Sequence, residues 1–131
     1  MSRPPVAREN VLDAFESILI DKGERFATMD ATAKAAGVSK GGLLYHFASK
    51  QALEEGLLAR LDLLVQEDLD AIASAKEGVV AYFLRSSTTS GTPVDRAIVA
   101  ATRLAQGGDA AANASLRGIR EQWADLIRPH V

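Results

Sequence analysis

TMDATAKAAGVSKGGLLYHFASKQAL, residues 28–53, decides how this chain is read. The spacing predicts two short helices joined by a tight turn at Ala36-Gly37-Val38-Ser39, and then the start of a third helix. Gly37 accepts the left-handed backbone that ends a helix. Ser39 offers a hydroxyl oxygen to the free N–H groups that open the next one. Two helices joined by a three- or four-residue turn containing glycine form the helix-turn-helix unit, whose second helix lies in the major groove of DNA.

Outward from this stretch the chain reads as helix throughout. A first helix is expected from about Ala7 to Asp21, with Val11, Leu12, Phe15, Ile18 and Leu19 as its apolar stripe. Thr28 caps the second helix, and Ser39 to Phe47 form the third. Ser49 caps a long fourth helix, in which leucines recur at three- and four-residue steps from Leu53 to Ile72. Residues 77–85 give a fifth, short helix, followed by a Ser/Thr loop at 86–91. Thr92-Pro93 opens a sixth helix and Asp109 a seventh. The expected fold is all-α. Residues 1–50 form a three-helix helix-turn-helix head, and residues 51–131 a helical regulatory part.

Composition removes several classes of function. The chain has 131 residues, 47% of them hydrophobic, enough for a real core. It has no cysteine, so disulfides, thiolate metal sites and cysteine nucleophiles are excluded. No metal-ligand spacing, Gly-rich phosphate loop, HExxH or GxSxG is present, and no enzyme activity or cofactor is expected. No apolar run approaches the roughly 18 residues of a membrane span, and the N-terminus lacks a signal-peptide core. A cytoplasmic protein without membrane contact is the expectation. The net charge is −2. Residues 1–50 nevertheless hold seven Lys/Arg against six acids, and residues 31–53 carry three lysines and no acid. Such a surface suits phosphate even on an acidic chain. Acids on the long helix, Glu54-Glu55 and Asp68-Asp70, read as solvated.

A reading helix must bury one side and show the other. Leu43 and Phe47 are expected inward, and Lys40, Gly41, Leu44 and Tyr45 outward. Lys40 has the length to reach a guanine edge or a phosphate. Gly41 and Gly42 let backbone come close to DNA, at about 1 kcal/mol of helix propensity each. Thr28 caps its helix whether or not it meets DNA, and His46 has a purely internal packing role open to it. Leu44 serves as inter-helix packing or as a base contact. Lys22 and Arg25 read as solvent-facing. Arg3 and Arg8 have, as the lesser of two readings, a role as a flexible arm toward an adjacent groove or phosphate.

The string Ala36-Gly37-Val38-Ser39-Lys40-Gly41, with Leu43, Tyr45-His46-Phe47, Ser49-Lys50 and Leu53, closely resembles the N-terminal signature of TetR-family transcriptional regulators. It departs from the usual pattern at Gly42, where Thr or Ser is common, and at Leu44, where an aromatic is common. The resemblance implies DNA contacts from Thr28, Ser39, Lys40, Gly41, Gly42, Leu44, Tyr45, His46 and Lys50. Thr28, Tyr45, His46 and Lys50 would clamp the phosphate backbone, and residues 40–44 would read bases. It also implies a homodimer on a palindromic double-stranded operator, most simply as a repressor released by a small-molecule effector. The effector cavity would draw on Leu61, Val65, Phe83, Leu104, Ile119 and Trp123, with Arg120 or Gln122 as polar anchors. Family members usually carry nine or more helices, so the chain is expected to be incomplete after its seventh. The alternative is a helical protein-interaction module without sequence-specific DNA binding.

Overall fold

The computed structural model describes residues 4–88 and 90–131, and side chains from residue 7 onward. Arg3 of the expected arm lies outside the described residues. Seven α-helices run in order: α1 (Pro4–Lys22), α2 (Met29–Ala36), α3 (Lys40–His46), α4 (Lys50–Ala73), α5 (Val79–Ser87), α6 (Pro93–Gln106) and α7 (Ala110–Ile127). Single 3₁₀ turns stand at Glu24–Phe26 and Arg128–His130, and there is no strand among the described residues. The fold is all-α.

Local chemistry sets the boundaries. Side-chain oxygens of Thr28, Ser39, Ser49, Thr92 and Asp109 each accept a backbone N–H three residues on, at 2.8–3.3 Å. Gly37 ends α2 at φ +72°, a conformation only glycine takes at no steric cost. Among the boundaries that differ from expectation, two have a clear local cause. α1 starts three residues earlier, because proline in a first turn gives up an N–H that has no helical partner anyway. α5 runs on through Ser86 and Ser87. Their hydroxyls donate back to the Phe83 carbonyl, at 3.2 and 2.7 Å, so the serines extend the helix rather than leave it.

One apolar cluster joins α1, α2, α3 and α4 to α6 and α7. Leu12, Phe15 and Leu19 of α1 share it with Leu43 and Phe47 and with Ala100, Ala101 and Leu104 of α6, against which α1 packs. Leu53, Leu57, Leu61 and Val65 give α4 its buried face along the same cluster. α4 therefore belongs both to the helix-turn-helix head and to the bundle of α5, α6 and α7.

The junction between them is tight at Gly56. A Cβ there would stand 2.9 Å from Phe47 Cε1 and 3.3 Å from Leu12 Cδ2. Neither neighbour retreats easily, because Phe47 and Leu12 are both core residues. Gly56→Ala is expected to cost about 1–3 kcal/mol by overpacking, despite alanine's better helix propensity. Chemical denaturation of the variant measures this directly.

Candidate nucleic-acid interface

The head presents one face and buries the other, as a reading helix requires. Leu43 is fully buried and Phe47 nearly so, locking α3 onto α1 and α4. Opposite them, Ser39, Lys40 and Gly41 are exposed, Leu44 is 43% exposed and Tyr45 is 79% exposed. A tyrosine this exposed next to a half-exposed leucine has no packing role within the chain, which favours an external partner. Gly42 is half-buried because its N–H completes the Ser39 cap at 3.0 Å. His46 is also half-buried, and its ring meets the Tyr45 ring edge-on at 5.0 Å between centroids. That contact orients the tyrosine rather than hiding it.

Thr28 is exposed at the start of α2, and two residues on Asp30 Oδ1 lies 3.4 Å from Lys40 Nζ at the start of α3.

Charge is arranged differently from the linear sequence. The acid-free window 31–53 does not stay acid-free in space. Asp30 reaches Lys40, and Glu24 reaches Lys50 with Oε1 at 2.8 Å from Nζ. Lys50 also donates to the Glu24 carbonyl at 3.2 Å. The Lys40 pair is fully solvated and worth little, so DNA displaces it cheaply. The Lys50 pair is about two-thirds buried and doubly held. Lys50 is thus a brace between the 3₁₀ turn and α4, and it must exchange Glu24 for phosphate to act as a clamp.

Arg8 is not part of an arm. It lies within α1 with its guanidinium 4.9 Å above the Phe47 ring and its NH1 3.4 Å from Glu9. Lys22 and Arg25 are exposed, as expected.

The six residues expected around an effector cavity separate into two groups. Leu61, Val65 and Leu104 are sealed in the core, at 0%, 1% and 0% exposure, and Ile119 is 4% exposed beside a shallow hollow that includes Gln122. Phe83 and Trp123 instead share the wall of a cavity of about 510 Å³ between α4, α5, α6 and α7. Arg120 is exposed and lines none of this wall. Tyr82, Val94, Asp95 and Asp68 complete much of it. Asp68 is not the solvated acid that the sequence suggested. It is half-buried, and burial pushes its carboxyl above the usual range, with the Asp95 charge adding to the rise. The buried Trp123 indole N–H is turned toward Asp68 and favours its charged form. Glu54 is raised as well, first by burial and then by Asp109.

An exposed, polar-edged helix on a buried Leu–Phe back, entered through a glycine turn and held by the start of a long helix, is the architecture of a helix-turn-helix DNA reader. Residues 11–57 match the profile of bacterial regulatory proteins of the tetR family. The chain is 34% identical over 89 residues to the HTH-type transcriptional repressor KstR2 of Mycolicibacterium smegmatis. That match takes in 65% of this chain and 43% of the relative, so the chain spans less than half the relative's length. No solved structure matches. The likeness to tetR-family regulators thus lies in the N-terminal head formed by residues 11–57 and, with the M. smegmatis repressor, extends over 89 residues.

Proposed function

We propose that this chain is a DNA-binding transcriptional regulator, with residues 1–50 as the reading head and residues 51–131 as a helical regulatory part. It acts as a repressor in the cytoplasm, pairs with a second copy, and lets go of a palindromic operator when a small molecule binds. The observation that carries this reading is the outward face Ser39–Tyr45 on the buried Leu43–Phe47 back. Lys40, Gly41, Gly42 and Leu44 read bases. Thr28, Tyr45, His46 and Lys50 hold phosphates, Lys50 by leaving Glu24. One short helix reads too few bases for useful specificity, which supports a dimer with half-sites about one helical turn apart. α4 offers a mechanical route for release. It carries the brace at Lys50 and, 18 residues on, Asp68 in the cavity wall. A ligand that prefers a shifted α4 would disfavour the spacing of heads that DNA requires. Among the described residues no helix is long and apolar enough to cross a membrane.

Selection of duplexes from a random pool by the purified protein tests the reading. An inverted repeat with half-sites about 10 base pairs apart is expected, bound with an affinity that falls steeply with salt. A pool that stays unenriched, with retention indifferent to salt, would leave the helical interaction module as the better description.

A further inference from the structure

The wall of the cavity between α4, α5, α6 and α7 has a charge pattern that apolar packing does not explain. Its body is aromatic and aliphatic, from Tyr82, Phe83, Val94 and Trp123. Its polar groups are mostly spent. The Ser86 and Ser87 hydroxyls donate to the Phe83 carbonyl, and the Thr92 hydroxyl caps α6. Arg85, the one cation in the wall among the described residues, is held by two hydrogen bonds to Glu77, at 2.6 and 3.0 Å, and lies 5.0 Å from the Tyr82 ring centroid. Two carboxylates remain without a cation, Asp68 and Asp95. Among the described residues neither has an ion pair, and the Trp123 indole is the polar side chain that meets Asp68. The buried Trp123 N–H is turned toward Asp68.

We infer that this cavity takes an organic cation with an apolar or aromatic body, its charge set between Asp68 and Asp95 and its body against Phe83 and Trp123. Two unpaired carboxylates facing the same apolar wall oppose each other, and burial adds to the cost of ionising Asp68. A cation removes both penalties at once. A neutral ligand removes neither, and an anion adds to them. The faces of Phe83 and Trp123 favour a positive charge further. A volume near 510 Å³ suits a drug-sized molecule. The inference rests on the regulatory reading only in treating the ligand as an effector, because occupancy of the cavity is measurable without DNA.

Trp123 is the single tryptophan of the chain, so its fluorescence reports the cavity. Trimethyl(2-phenylethyl)ammonium is the probe, and 4-phenylbutanoate is a control of similar size and opposite charge. The cation is expected to change Trp123 emission saturably, at least about 10-fold more tightly than the anion. The double substitution Asp68→Asn, Asp95→Asn is expected to weaken the cation at least about 10-fold while circular dichroism stays helical. Equal binding of cation and anion, undiminished binding by the double variant, or no saturable signal from the cation would each overturn the inference. Saturable cation binding that leaves operator retention unchanged would count against the regulatory reading and leave the ligand class standing.

Discussion

Replacement of Lys40, Tyr45 and Lys50 together by alanine is expected to lower operator affinity at least about 100-fold while the fold survives. Lys40 and Tyr45 are exposed, and their contacts with Asp30 and the His46 ring lie outside the core. Losing them removes direct contacts worth about 1–3 kcal/mol each where they reach base edges. Lys50 is two-thirds buried, and its loss frees Glu24 as well as a phosphate site. The two effects separate by salt. Each phosphate contact removed is expected to flatten the log–log salt dependence by about 1, whereas a lost base contact leaves the slope alone and relaxes sequence preference. Fluorescence anisotropy on the selected duplex, across a salt series, gives both numbers. Unchanged retention by the triple variant would end the reading of this face as the DNA interface.

Neutralising the acids that hold these lysines should act in the opposite direction. Glu24→Gln releases Lys50 from its side-chain partner, and Asp30→Asn removes a carboxylate from the face that phosphate approaches. Each is expected to tighten DNA binding by a few-fold at low salt, with the gain fading as salt screens it. An interaction module that ignores DNA would respond to neither.

These pairs mark the limit of what local sequence reveals. The helix-turn-helix was legible because its signals are local: a glycine at φ +72°, hydroxyl caps three residues from the N–H they bind, and Leu43 and Phe47 four apart. The counter-charges were not, because Glu24 lies 26 residues from Lys50 in the chain and only the fold joins them. The second part divides the same way. Its helices arise from apolar spacing, but that spacing does not distinguish a sealed core from a cavity wall. Leu61, Val65 and Leu104 carry the same signal as Phe83 and ended in the core. A better signal lies in polar residues placed in apolar register. Asp68 comes after Leu61 and Val65 and before Ile72 at steps of three and four, and so it was bound to face inward. Glu16, between Leu12 and Leu19 on α1, obeys the same logic and is 6% exposed.

Glu16 leads to the second large effect: Arg60→Ala is expected to destabilise the protein by about 3 kcal/mol near neutral pH. Arg60 projects from α4 into an acidic row on α1. Its NH1 lies 2.7 Å from Asp13 Oδ1 and 3.3 Å from Glu9 Oε1, and its NH2 lies 3.2 Å from Glu16 Oε2. Arg96 of α6 supports the other Glu16 oxygen at 3.4 Å and donates to Ser17 Oγ at 3.1 Å. Without Arg60 the buried Glu16 carboxylate keeps only the weaker, more exposed Arg96. Burial already holds the Glu16 carboxyl above its ordinary pKa, against the pull of Arg60 and Arg96. In the variant one pull is gone and the pKa rises further. A carboxyl raised in the fold favours folding at low pH and loses that contribution as pH climbs through its folded value. The stability gap between variant and parent should therefore narrow as pH is lowered from 7 toward the ordinary carboxylate range, as read by urea denaturation. Replacing both partners with apolar residues, Arg60→Met with Glu16→Leu, should recover most of the loss, because no charge is then left buried without its partner. A gap independent of pH and unrelieved by the double replacement would mean that Arg60 acts through packing of its aliphatic stem, and that the charge network joining α1, α4 and α6 is incidental to stability.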